Sequence, residues 1–402
     1  MSFKFVAIAN QFMNTQDRSR LRLAKSSAIC FTLLLIVGYL SMSLWAQSDK
    51  QASDSSKSWT TTVESENAGL NPTRTVQSHT QSDNRTTDTK SIQRRDSDGH
   101  FEPYIDIETE TVQVDRSTVR AVTRTFAHDS NGAKKLVQVT DEEKQTLPSG
   151  DSSLVRATSN ADLDGRLQLV QREVEETKKT SENTEETQKT VMLQGINGMA
   201  PAMKTQVRRT RMGKDTVDSQ TTTMLPDGSG NWQVGEVRQA TIHTGESPKN
   251  EETVSRPDSE GNMKEISHSV TTQSTDASGE KHETVENYSL DVPGATRDGS
   301  LHLVERTSTV QRTNLGGQQT TQKQVEQTNP GDPSAGLRVT VVSTNTVRAG
   351  TGEVQSIQTV QTRDANGNFG TVSVDLSKSN NTPTVEVQTG PAEKQKPAEK
   401  QK

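Results

Sequence analysis

The stretch that decides the fold is DSNGAKKLVQVTDEEKQTLPSGDSSLVRATSNADLDG, Asp129–Gly165. It opens on the turn Asp129-Ser-Asn-Gly132, closes on Asp162-Leu-Asp-Gly165, and breaks midway at Pro148-Ser-Gly150. Asp or Asn caps such a turn through its side chain, and Gly takes the positive φ that other residues avoid. The segments between turns are rich in Val and Thr and lack helical spacing, which marks strands. The stretch therefore reads as two strands of about 10–12 residues joined by turns.

The pattern extends in both directions. Turn glycines fall at Gly99, Gly132, Gly165, Gly198, Gly230, Gly261, Gly299, Gly336 and Gly367, at intervals of 31–38 residues. Five positions after each stand Tyr104, Val137, Val170, Met203, Gly235, Ile266, Val304, Val341 and Val372. Eight of these nine are Val, Ile, Met or Tyr in a chain that is only 28% hydrophobic, so the register is not an accident of choosing glycines. The chain is a repeat array. Both strand faces carry Thr, Gln, Glu and Arg. The expected fold is all-β: an elongated antiparallel meander or stacked β-hairpin array of about 33-residue units, about eight of them over 96–390, stabilised between neighbours.

The Asp-x-Asn/Asp-Gly turns followed by Val- and Thr-rich strands, as in Asp364–Thr371 and Gly299–Thr309, resemble those of a loosely defined group of uncharacterised bacterial exported β-repeat proteins. The resemblance covers about 96–390. It implies an exported repeat protein with no established activity, and it assigns no functional residue.

Composition removes several classes of function. With 28% hydrophobic and 3% aromatic residues in 402, there is too little apolar material for a deep enzyme core. Lys and Arg (46) and Asp and Glu (52) are interspersed, giving a net charge of −6 and no basic groove for nucleic acid. The single cysteine, Cys30, excludes disulfides, thiolate zinc sites and thiol nucleophiles from the rest of the chain.

Arg18, Arg20, Arg22 and Lys25 precede the apolar run Ala28–Ala46. A basic stretch followed by an apolar one is the export pattern. Residues 1–27 are then a cytoplasmic n-region, and 28–46 either a signal peptide or a signal-anchor helix. The remainder is expected outside the inner membrane: periplasmic, at the cell surface, secreted, or anchored through 28–46. Residues 47–95 read as a disordered Ser/Thr/Gln-rich linker, and 391–402, twice PAEKQK, as a charged tail.

Candidate chemistry is sparse. Asn160, Asp162 and Asp164 match the first half of a calcium loop, but its twelfth position is Gln171 where a bidentate Glu is needed; a plain hairpin turn explains the motif as well. Gly150-Asp151-Ser152-Ser153 lacks the base and elbow of a nucleophilic serine. The seven histidines form no HExxH, and neither a P-loop nor a dinucleotide-binding glycine motif is present. The sequence thus predicts no catalytic residue and no cofactor. It predicts a non-enzymatic envelope or surface scaffold with an unknown envelope partner, the alternative being a module that binds glycan, cell wall or lipid. A membrane β-barrel is set aside, because Leu301–Arg312 (LHLVERTSTVQR) puts Glu305 or Arg306 on either face.

Overall fold

The computed structural model describes residues 57–380, apart from 68–71, 246, 292–298, 315, 330, 350–353 and 365. The predicted segment 28–46 and tail 391–402 lie outside the described residues. Among the described residues there is no helix. The described residues form twenty strands in succession. The first ten are β1 (Lys57–Asn67), β2 (Thr73–Ser82), β3 (Arg85–Arg95), β4 (Phe101–Gln113), β5 (Thr118–His128), β6 (Lys134–Thr146), β7 (Ser152–Ala161), β8 (Leu167–Lys179), β9 (Thr184–Gly195) and β10 (Gly198–Arg211). The second ten are β11 (Thr216–Pro226), β12 (Trp232–His243), β13 (Lys249–Pro257), β14 (Met263–Thr275), β15 (Lys281–Ser289), β16 (His302–Thr313), β17 (Gln319–Asn329), β18 (Asp332–Ala349), β19 (Val354–Arg363) and β20 (Phe369–Asn380).

Each strand pairs antiparallel with the next, and β20 returns to β1 in register from Asn67↔Ser373 to Thr60↔Asn380. The sheet is a closed barrel, not the open meander or hairpin stack the repeats predict. Closure removes the two edges that a long antiparallel sheet would otherwise expose. Substantial contacts run along the ladder between neighbouring strands, so the wall is one layer thick.

The predicted linker is also corrected. Three strands, β1, β2 and β3, fall within 47–95. Their Thr- and Ser-rich sequence buries little, but each satisfies its backbone on both sides once the ring closes.

Eight of the nine predicted turns join odd strands to the even ones that follow; Gly336 instead lies within β18, where the ladder breaks between Thr328↔Leu337 and Asn329↔Asp332. Each of the nine turn glycines has φ between 75° and 100°. At Gly132 the geometry is typical: Oδ1 of Asp129 accepts hydrogen bonds from the amides of Asn131 (2.9 Å) and Ala133 (3.0 Å), while the Gly132 amide donates to the Asp129 carbonyl (2.9 Å). The same Asp arrangement recurs at Asp162, Asp227 and Asp258.

A β-bulge follows each of these turns. The ladder skips one residue on every even strand from β4 to β20: Tyr104, Val137, Val170, Ala202, Gly235, Ile266, Val304, Thr340 and Val372. Seven of the nine are the residue five positions after the turn glycine; on β10 and β18 the bulge is one residue earlier. The periodic apolar position is thus a ring of bulges just inside one rim of the barrel. A bulge advances the side-chain alternation by one residue and sharpens local twist, which helps a wall to curve.

Candidate functional site

In-register residues share a face, so the ladder divides the wall into two surfaces. One surface holds the three least exposed of the described residues: Val191 and Val254 (8%) and Thr307 (9%). Across the middle of β8–β11 its Thr177, Thr187, Thr205 and Thr221 are half-buried, whereas Glu176, Gln188, Gln206 and Gln220 on the other surface are exposed. Side chains converge inside a cylinder and diverge outside it, so the first surface is the inner wall.

The inner wall is hydroxyl, amide and paired charge. A row of threonines crosses β4–β7, with hydroxyl contacts Thr109–Thr123 at 3.0 Å and Thr140–Thr158 at 3.2 Å. Thr177 and Thr187 repeat the contact at 2.8 Å. Next to the row runs a charge ladder over β6–β9. Arg156 donates to Glu142 (2.7 Å) and Glu173 (3.2 Å), and Lys189 reaches Glu173 at 2.7 Å. A second ladder on β12 and β13 joins Arg238 to Glu236 (2.6 Å) and Glu252 (3.1 Å), and Arg256 to Glu236 (2.7 Å). Burial works against the charge on Glu173 and Glu236, yet the surrounding cations hold both carboxyls below their usual range. Near β1, His79 stacks on Trp59 (5.4 Å between ring centroids) and meets Asp88 at 2.6 Å.

The outer wall is also polar over most of its height. Arg306 lies outside, bridging Glu286 (2.9 Å) and Glu326 (3.7 Å), while Glu305 lies inside. At the bulged rim the outer wall changes character. In the two outward positions next to each bulge on the rim side, β8 places Leu167 and Leu169, β12 Trp232 and Val234, β14 Met263, and β20 Phe369. Phe101, Leu136, Met199, Leu303 and Leu337 occupy corresponding places on the remaining even strands from β4 to β18.

The calcium candidates do not assemble. Oδ1 of Asp162 accepts from the amides of Asp164 and Arg166 (both 2.9 Å), and Oδ2 from Gln168 (3.0 Å); Asn160 Oδ1 accepts from Gln138 (2.9 Å). These oxygens build the turn. Asp151 and Ser152 stand at the opposite rim, where the Asp151 carboxylate accepts from the Lys179 amide and the Ser149 hydroxyl. Among the described residues, Asp276, Glu280 and His282 come close enough together to hold a cation. Asp276 is already committed, accepting from the Ser278 hydroxyl (2.6 Å) and the Glu280 amide (2.9 Å). What sequence reasoning missed is the inner wall itself. Its residues sit far apart in the chain and share no motif.

Closure corrects the expected scaffold or surface-binding array: an extended array offers a long flat surface, whereas this chain encloses a lumen. No protein-family model and no curated protein sequence matches the chain. Among solved structures, it is similar to the siderophore receptor PirA from Acinetobacter baumannii (TM-score 0.46, 6% identity, 82% of this chain and 81% of that one). It is also similar to the copper transporter OprC (0.40, 7%, 83% and 81%) and to OccK7 (OpdD) of Pseudomonas aeruginosa (0.39, 8%, 82% and 99%).

Proposed function

We propose that the barrel is a polar conduit of the cell envelope, through whose lumen hydrophilic solutes pass. The observation that carries this reading is the closed ladder with a hydroxyl- and amide-lined inner wall. Twenty strands about 4.8 Å apart and tilted by about 40° enclose a ring about 40 Å across between backbones. That is too wide for side chains of opposite walls to meet, unlike the filled interior of an eight-stranded barrel. The inner charges neutralise one another within the wall, so a passing solute meets weak contacts rather than a trap, as conduction requires. The envelope placement rests on the basic-then-apolar export pattern before Gln47.

The outer wall distinguishes this conduit from a bilayer-spanning pore. Arg172 and Arg306 both face outward at mid-strand. A lipid-facing Arg or Lys at a bilayer midplane costs about 2–4 kcal/mol. Most of the wall therefore stands in water.

A plugging experiment tests the reading in cells carrying Cys30→Ser, which removes the chain's only thiol. Thr205→Cys places a thiol on the inner wall and Gln206→Cys one on the outer wall. The chain should raise uptake of a small hydrophilic dye. A maleimide-linked polyethylene glycol wider than the lumen, built up at position 205 from a small reactive anchor, should abolish that rise. The same adduct at 206 should leave it intact. No rise with the chain, or equal effects at both positions, would overturn the conduit.

A further inference from the structure

The outer wall of the bulged rim is unlike the rest of the molecule. On the nine bulged strands, seventeen outward positions lie between bulge and turn within the ladder. Twelve of them are Phe, Trp, Leu, Val or Met, in a chain only 28% hydrophobic, and two more are Pro. The exceptions are Lys134, Glu265 and Thr371. The inward residues between them include Glu102, Lys135, Gln168, Lys264, His302 and Arg338, and none is a large apolar residue. At the opposite rim the same outer wall carries Arg120, Lys178, Glu186, Arg208, Lys249 and Arg312. The collar is not covered by the protein: Leu167 is 45% exposed, Met263 44% and Phe369 41%.

We propose that this collar seats the bulged rim in the interfacial layer of a lipid bilayer. Three observations select lipid over other occupants. The first is depth. Two outward positions on a strand are about 7 Å apart, which matches the 5–10 Å that an interfacial element buries and falls far short of the roughly 25 Å band of a spanning barrel. The second is circumference. The collar runs around a ring of about 125 Å, and the occupant must be flat and continuous to meet all of it. The apolar stretch Ala28–Ala46 has nineteen residues and reaches at most about 65 Å when fully extended. It cannot cover the collar. The third is chemistry at the rim. Arg74 lies over the Phe101 ring (4.1 Å to the centroid) and Lys134 over Phe126 (4.1 Å), pairing cations with aromatic faces as residues at a headgroup boundary do. Lys134, the one cation among these seventeen positions, also meets Asp106 and Glu108, while Arg95 and Arg363 on the intervening strands face outward in register with Phe101 and Phe369. The inference stands on the collar alone and does not depend on conduction through the lumen.

The test uses the full chain in the Cys30→Ser background, labelled with an environment-sensitive fluorophore at Leu167→Cys or Met263→Cys. These positions lie on different strands of the collar. Lys178→Cys at the opposite rim is the control. Phosphatidylcholine vesicles should shift collar emission to the blue, and a quencher attached near the lipid headgroup should quench the collar several-fold more than aqueous iodide does. Lys178→Cys should show neither effect. If Ala28–Ala46 alone holds the chain to vesicles, flotation persists but the collar labels stay in a polar environment, and the proposal fails. A blue shift that appears without lipid and grows with protein concentration would assign the collar to a second copy of the chain, and would also overturn it.

Discussion

Arg156 is the central cation of the inner charge ladder, and replacing it by Met separates charge from packing. Met keeps the unbranched stem and removes the guanidinium. Glu142 and Glu173, which flank Arg156 on neighbouring strands, then lose the cation they share at 2.6 and 3.2 Å. Arg156 is 37% exposed, so solvent screens the pairs and each is worth about 0.2–1 kcal/mol, as for exposed pairs generally. Glu173 is only 13% exposed and keeps Lys189 alone, which places the total in the upper part of the two-pair range, about 1–2 kcal/mol. The sign with pH follows from the carboxyl. Its folded value lies below the ordinary 4.5, so its contribution is complete above that value and is lost as pH falls through the depressed one. Urea midpoints of native and Arg156→Met protein should therefore differ at pH 7, and the difference should shrink once Glu173 is protonated. Arg208→Met is the control: its pair with Glu186 is 3.8 Å long and more than half exposed on both sides, and its removal should cost less than about 0.5 kcal/mol. A difference at Arg156 that persists undiminished in acid would show that packing, not charge, carries the ladder.

Gly132→Ala should cost about 1–2 kcal/mol, read from the thermal midpoint: the position has φ +76° with nothing near the added methyl, so the cost is backbone strain alone. Deleting Val170 should be far more damaging than Val170→Ala, because it re-phases the rim of β8 and turns Leu167 and Leu169 inward; circular dichroism and yield of folded protein distinguish the two. Asp276 should titrate near 2, held there first by the Ser278 hydroxyl and then by the Glu280 amide and His282. Ser278→Ala should move it toward the ordinary 3.8 in a carbon-detected NMR titration, and the stability it lends should vanish as pH falls through about 2 in the native protein.

The turns and the strand character were legible because both are local. Asp-x-Asn-Gly states its own backbone geometry, and Val and Thr between turns favour a pleated chain. The first three strands were not legible for the same reason. The β2–β3 turn, Asp83-Asn84, contains no glycine, and Asp83 itself takes the positive φ of 26°. With few apolar residues and no glycine in the β2–β3 turn, β1–β3 look like linker until β20 supplies a partner. That partner lies some three hundred positions away in the chain, and no local pattern announces it. Amphipathicity was hidden by the bulges. On β8 the outward residues are Arg172, Val174 and Glu176 on one side of Val170, and Leu167 and Leu169 on the other. Odd positions face out before the phase change and even ones after it, so a period-two count over the whole strand averages to nothing.

The same phase change explains how so polar a chain makes use of its few large apolar residues. A barrel wall needs no core, since closure leaves every strand with two hydrogen-bonded neighbours and no edge to protect. Its cross-strand threonine and ion pairs, at about 0.2–1 kcal/mol each, suffice to favour one register over its slips. Apolar residues are then freed from packing an interior. They collect where the bulge turns them outward, around one rim. On the bulged strands the outward positions of this rim are mostly apolar while the inward ones stay polar, which fits an end of the barrel that meets a surface water does not wet.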